Sequence, residues 1–132
     1  MKIVADTNVL VRALMGDDKK QSAAAEAALA KAESVMISAT AFCELVWVLQ
    51  QGYGVSRDEV LRAIVTLIDS ENVVINRPSV EAGLSSFEAG GDFADGVIAF
   101  DGYLLGAEEF VSFDKKAVKL LIDQGKKALV LT

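Results

Sequence analysis

Short runs of β-branched residues alternate along the chain with longer stretches in which apolar positions recur every three or four residues. The short runs fall at Lys2–Ala5, Val35–Ile37, Val73–Ile75, Phe110–Ser112 and Ala128–Leu131, and each predicts a strand. The longer stretches predict helices over Asn8–Leu14, Lys20–Lys31, Thr40–Gln51, Arg57–Asp69, Ser79–Glu88, Asp92–Leu105 and Lys115–Gln124. Punctuation agrees with this division. Gly52-Tyr53-Gly54 closes one helix and Ser56 is placed to cap the next, Gly90-Gly91 precedes a second cap at Asp92, and Pro78, the only proline, suits a helix start. Regular strand–helix alternation implies an α/β fold of three layers, with a central five-stranded parallel sheet, right-handed crossovers and helices on both faces. Ligands of such sheets bind beyond the carboxyl ends of the strands, where strand order reverses. No repeat, low-complexity tract or linker breaks the pattern, so residues 1–132 are expected to form one domain.

Composition narrows the chemistry. With 52% hydrophobic residues in 132, the chain can bury a core without disulfides or a structural metal. Its one cysteine, Cys43, lies in Ala41-Phe42-Cys43-Glu44-Leu45-Val46 and reads as a small buried core residue. The opening Met1–Asp6 has no secretory pattern and charges interrupt every candidate span, which predicts a soluble cytoplasmic protein. The absence of histidine excludes Ser-His-Asp and Cys-His systems and the usual histidine-rich zinc sites. A net charge of −6 argues against nucleic-acid binding through a broad basic surface, because that mode works by neutralising phosphates. Catalysis must run on carboxylates, hydroxyls, lysines or metal ions.

Several carboxylates stand at positions this architecture exposes to ligand. Asp6 follows Ile3-Val4-Ala5 at a strand's carboxyl end, and Asp114 follows Phe110-Val111-Ser112 after one residue; each is either a helix cap or a site residue. Glu44 sits in an apolar helix and needs a cation, a metal or a solvent-facing stripe. Asp92 and Asp95 share one side of a helix's first turn, where capping accounts for one of them more readily than for both. Asp101 is rotated away from Asp95 and reads as structural or surface. Converging carboxylates repel unless a counter-charge joins them. An oxygen-only set suits Mg²⁺ or Mn²⁺, and such an ion can activate water against a phosphodiester without histidine.

The ordered set Ala5-Asp6-Thr7-Asn8-Val9-Leu10-Val11-Arg12, Glu44, Asp92-Phe93-Ala94-Asp95 and Ser112-Phe113-Asp114 resembles the PIN-domain family, and its first and third members look like VapC-type toxins. The resemblance implies that Asp6, Glu44, Asp95 and Asp114 form an acidic catalytic and metal-binding quartet, with Asp92 beside it. It implies accessory roles for Thr7 and Ser112, whose hydroxyls would hold a metal water or a carboxylate, and for Asn8 at the turn. Arg12 would approach RNA or a carboxylate. Gly96 departs from the more usual alanine, which would loosen that helix's first turn.

The function expected on this basis is a Mg²⁺- or Mn²⁺-dependent endoribonuclease acting as the toxin of a toxin–antitoxin pair. It would be met by a small antitoxin protein that puts an arginine into the acidic cluster. A stand-alone PIN ribonuclease in RNA processing and a non-catalytic PIN-fold binding module are the alternatives. A small basic rim of Arg12, Lys19, Lys20, Lys115, Lys116 and Lys119 would steer RNA. A homodimer is expected, with the helix pair Thr40–Gln51 and Arg57–Asp69 offering an apolar surface. An aspartyl-nucleophile phosphotransferase is disfavoured because Asp6-Thr7-Asn8 lacks a second aspartate two residues on, and no glycine-rich phosphate loop follows any strand.

Overall fold

The computed structural model describes residues 1–132. Five strands and seven α-helices succeed one another in the expected alternation. The strands are β1 (Lys2–Val4), β2 (Ser34–Ile37), β3 (Val73–Ile75), β4 (Phe110–Ser112) and β5 (Ala128–Val130). The helices are α1 (Thr7–Met15), α2 (Lys19–Lys31), α3 (Ala39–Trp47), α4 (Arg57–Ile68), α5 (Arg77–Glu88), α6 (Phe93–Leu104) and α7 (Lys115–Asp123). The chain divides into two compact units, Met1–Asn76 and Arg77–Thr132.

In the first unit the sheet runs β1-β2-β3, all parallel, with Ile3 opposite Val35 and Val35 opposite Val73. Strand order does not reverse within it. The side chains of Val35 and Ile37 are buried on the face where Leu10, Leu29 and Leu67 also lie. The opposite row, Val4–Met36–Val74, keeps Val4 and Val74 exposed. Helix starts are set by side chains: Asp18 accepts from the Gln21 amide at 3.0 Å, Ser38 from Ala41 at 3.1 Å, and Ser56 from Glu59 at 3.3 Å. Ser56 with Glu59 three residues later also has the sequence of a capping box. Asn72 ties the entry of β3 to the end of α2 by donating to the carbonyls of Leu29 and Ala32.

In the second unit β4 pairs with β5 alone, Val111 opposite Leu129, so the expected single five-stranded sheet is instead a three-stranded and a two-stranded ladder. Each ladder lies within one unit. Two glycines let α5 and α6 pack closely. A Cβ on Gly83 would stand 2.7 Å from the Phe93 ring, and one on Gly96 would stand 2.5 Å from the Ala82 carbonyl oxygen. Gly96 therefore serves close helix approach, and the expected loosening of the turn is not its main consequence.

The helix expected over Thr40–Gln51 ends earlier as an α-helix. At Val48–Gly52 it widens into a π-helical turn, a feature that often marks functional sites. The apolar residues of α3 and α4 (Phe42, Leu45, Val46, Val60, Ile64 and Ile68) are buried inside the unit. They are not available for the self-association surface expected of this pair; only Trp47 and Val65 remain exposed among its large apolar side chains. Cys43 is only partly buried. No helix is long and apolar enough to cross a membrane.

Candidate metal centre

Two acidic groups, one in each unit, contain the carboxylates singled out in the sequence. In the first unit Asp6 is the residue before α1. Its Oδ1 accepts from the amide of Thr7 at 2.8 Å. A standard N-cap bonds the second or third amide of the helix, so this carboxylate turns toward the first and keeps Oδ2 for another partner. Thr7 Oγ1 donates to Glu44 Oε1 at 2.8 Å, joining the start of α1 to α3.

Glu44 itself is exposed, as are Thr40 and Trp47 one turn to either side. Its apolar neighbours Phe42, Leu45 and Val46 occupy the inward face, and Glu44 lies on the solvent-facing stripe, one of the readings open to it in the sequence. Asp6, Thr7, Asn8, Arg12, Glu44 and Tyr53 line an open groove of about 430 Å³. A roomier groove of about 600 Å³ in the second unit is lined by Phe100, Tyr103 and Leu121 and lacks the clustered aspartates; the carboxylate groove fits the chemistry better.

Arg12 is not free to meet RNA with its whole head group. Its Nε donates to Gln21 at 2.7 Å, and its Nη1 donates to Asp17 at 3.2 Å and to the Tyr53 hydroxyl at 3.3 Å. Tyr53 in turn donates to Asp17 at 2.8 Å, which holds the Asp17 carboxyl below the usual carboxylate range, with Arg12 contributing. Asp17 and Tyr53 escaped the sequence reading. Tyr53 read only as part of a helix-ending Gly-Tyr-Gly, and nothing along the chain relates it to a residue 36 positions earlier.

In the second unit Asp92 occupies the N-cap position of α6, yet its side chain makes no capping bond. Capping therefore does not account for this carboxylate. Asp95 follows in the first turn, half-buried, and its carboxyl is raised above the usual range by burial first, then by the charges of Asp92 and Asp114. Asp114 caps α7, with Oδ1 accepting from the amides of Lys116 and Ala117, so Oδ2 is left for a second partner. Ser112 Oγ accepts from the Asp114 amide at 3.0 Å and fixes that turn. Asp101 points into a separate contact, accepting from the buried Ser79 hydroxyl at 2.7 Å.

Of the basic candidates, Lys119 pairs with Asp123 at 2.8 Å. Lys19, Lys20, Lys115 and Lys116 are exposed and make no ion pair. Within either unit, no three Asp, Glu or Cys side chains gather closely enough to enclose an ion. The donors nonetheless suit a hard divalent cation, since all are carboxylate or hydroxyl oxygens, and the raised Asp95 is a carboxylate short of positive charge. A comparison with curated proteins found no match. The family model described as PIN domain matches residues 3–120, so this chain belongs to the PIN-domain family, whose members are generally metal-dependent nucleases.

Proposed function

We propose that the chain is a Mg²⁺- or Mn²⁺-dependent endoribonuclease, the toxin of a toxin–antitoxin pair, and that residues 1–132 act as one domain. The observation that carries the nuclease reading is the PIN-domain match over residues 3–120; the grouping of Asp92, Asp95 and Asp114, whose charges with burial raise the Asp95 carboxyl, is in keeping with a site that takes a cation. The one-domain reading is supported by the family match, which runs from residue 3 to residue 120 and so crosses the boundary at Asn76.

On this reading Asp6, Glu44, Asp95 and Asp114 supply the ligand oxygens. Asp92 adds negative charge beside Asp95. Thr7 orients Glu44 through its hydroxyl, Ser112 steadies the turn that carries Asp114, and Asn8 lines the groove next to Asp6. When bound, the ion supplies an acidified water and neutralises charge on the phosphodiester oxygens. Lys19, Lys20, Lys115 and Lys116 steer RNA toward the carboxylates, with Arg12 and Lys119 already engaged by acids and secondary in that role.

The toxin assignment follows the likeness of the opening octet and of Asp92–Asp95 to VapC-type toxins. It carries a cytoplasmic location, a homodimer, and an antitoxin that places an arginine among the carboxylates, where the guanidinium fork matches their geometry.

The test is RNA cleavage with rising Mn²⁺ by the chain alone, by Asp6→Asn, and by the chain co-purified with the product of an adjacent small gene. Cleavage that needs Mn²⁺ and Asp6, and is suppressed in the complex, is expected. Equal cleavage by parent and Asp6→Asn overturns the nuclease reading; no adjacent gene or no suppression overturns the toxin reading alone.

A further inference from the structure

The protein's only tryptophan, Trp47, is 66% exposed. It ends α3 three residues after Glu44, on the same outward stripe as Thr40 and Glu44. Residues three apart on a helix have Cβ atoms about 5–6 Å apart, so the indole flanks Glu44 just outside the groove, whose lining here is Glu44 and, just past α3, Val48. We propose that Trp47 is a stacking platform for an unpaired base of the RNA strand, flanking the carboxylate groove. This rests on the nuclease reading above.

The surroundings of the indole favour a base over a protein partner. A docking helix requires apolar anchors repeating along a stripe, whereas the stripe here reads Thr40, Glu44, Trp47 and Gln51, with one apolar member. Of the large apolar side chains of α3, Trp47 alone is exposed, so this face offers one aromatic ring and no apolar stripe. A nucleobase needs only one aromatic face and tolerates polar groups at its edges.

The acidity of the chain points the same way. At a net charge of −6, attraction to phosphate is weak, and stacking supplies affinity that does not depend on phosphate neutralisation. A base must be unstacked to use the platform, so the site selects loops, bulges and single-stranded ends over duplex RNA.

Because the chain has one tryptophan, its emission reports this contact directly. A single-stranded oligoribonucleotide titrated into the full chain in EDTA should quench the emission saturably, and the same RNA as a duplex should quench it far less. Trp47→Ala should lose roughly 5- to 100-fold in affinity measured by RNA anisotropy, while Trp47→Phe keeps most of it. Asp6→Asn should quench like the parent, so a loss of cleavage with retained quenching separates the metal site from the platform.

RNA binding by anisotropy without quenching, or with equal affinity in Trp47→Ala, overturns the proposal. So does a concentration-dependent shift in emission without RNA, matched by dimers in ultracentrifugation that Trp47→Ala abolishes, because the indole is then a contact between copies. Absence of any RNA binding overturns the nuclease reading and the platform together.

Discussion

Thr7 Oγ1 donates a 2.8 Å hydrogen bond to Glu44 Oε1 across 37 residues of chain. The bond ties the start of α1, just after Asp6, to the helix that carries Glu44, and it engages Oε1 so that Oε2 is the oxygen left for the proposed cation. Thr7→Val should lower Mn²⁺ affinity by about 10- to 100-fold, the usual effect of losing a group that orients a ligand. Its stability cost should be about 0.5–1.5 kcal/mol, toward the low end because the bond is exposed. Thr7→Ser should restore both. Titration calorimetry and urea unfolding on the two variants check this; equal metal affinity in parent and Thr7→Val removes Thr7 from the site.

Asp95 should destabilise the protein at neutral pH in the absence of divalent ions. Its carboxyl titrates higher folded than unfolded, so the ionised form costs folding free energy above the folded pKa, and the cost disappears below the ordinary carboxylate range. Asp95→Asn in EDTA should raise Tm near pH 7 by on the order of a degree or two. That gain should shrink toward zero below about pH 4. Added Mn²⁺ should raise the Tm of the parent and not that of the variant. Differential scanning fluorimetry across pH reads all of these outcomes, and a variant less stable than the parent at pH 7 contradicts the strain assigned to Asp95.

The two acids of α6 should separate cleanly. Asp101 is occupied by Ser79 and Asp95 is not so occupied, so Asp101→Asn should leave RNA cleavage within a few-fold of the parent while Asp95→Asn abolishes it. Asp101→Ala should also cost about 1–3 kcal/mol, since Ser79 is buried and loses an acceptor. Equal activity losses in folded Asp101→Asn and Asp95→Asn would reverse the assignment.

Gly96→Ala, although it introduces the better helix former, should destabilise the chain. The new Cβ would meet the Ala82 carbonyl and the Ser86 hydroxyl at 2.5–2.6 Å, so two backbones must move apart. Overpacking of this kind costs about 1–3 kcal/mol, more than the ~1 kcal/mol that alanine gains in propensity. The midpoint of urea unfolding should fall, with the slope unchanged.

Lys115 and Lys116 open α7, where cations oppose the helix dipole at a cost of about 0.3–1 kcal/mol each. Replacing both with Gln should therefore stabilise the protein slightly while weakening RNA binding and reducing the salt slope by roughly one per lost phosphate contact. An unchanged slope excludes them from the RNA rim.

Local features were readable from the chain and distant pairings were not. The caps at Ser56 and Asp114 follow from residues within one turn of each other and stand where the sequence placed them, while α5 starts at Arg77, two residues before the expected Ser79, with Pro78 in its first turn. The acidic residues at strand ends were legible for the same reason. Which strands would share a ladder was not, because Val111 carries no mark that makes Leu129 a better neighbour than Val4. The outward placement of Glu44 stayed one reading among several, because apolar content along α3 does not say which stripe of the helix faces out. The Arg12–Asp17–Tyr53 network joins residues whose spacing gives no signal, and it becomes visible only once the π-helical turn brings Tyr53 back toward α1.

The closure of each ladder within its own stretch of chain also sets an order of events at the ribosome. β1, β2 and β3 all lie within the first 75 residues, so every strand of the first sheet is made before the second unit. Thr7 and Glu44 can meet at that stage, before Asp95 and Asp114 exist. The acidic set proposed for cleavage is thus finished only after residue 114 has been made, so a chain arrested within the first unit holds Asp6 and Glu44 without their proposed partners.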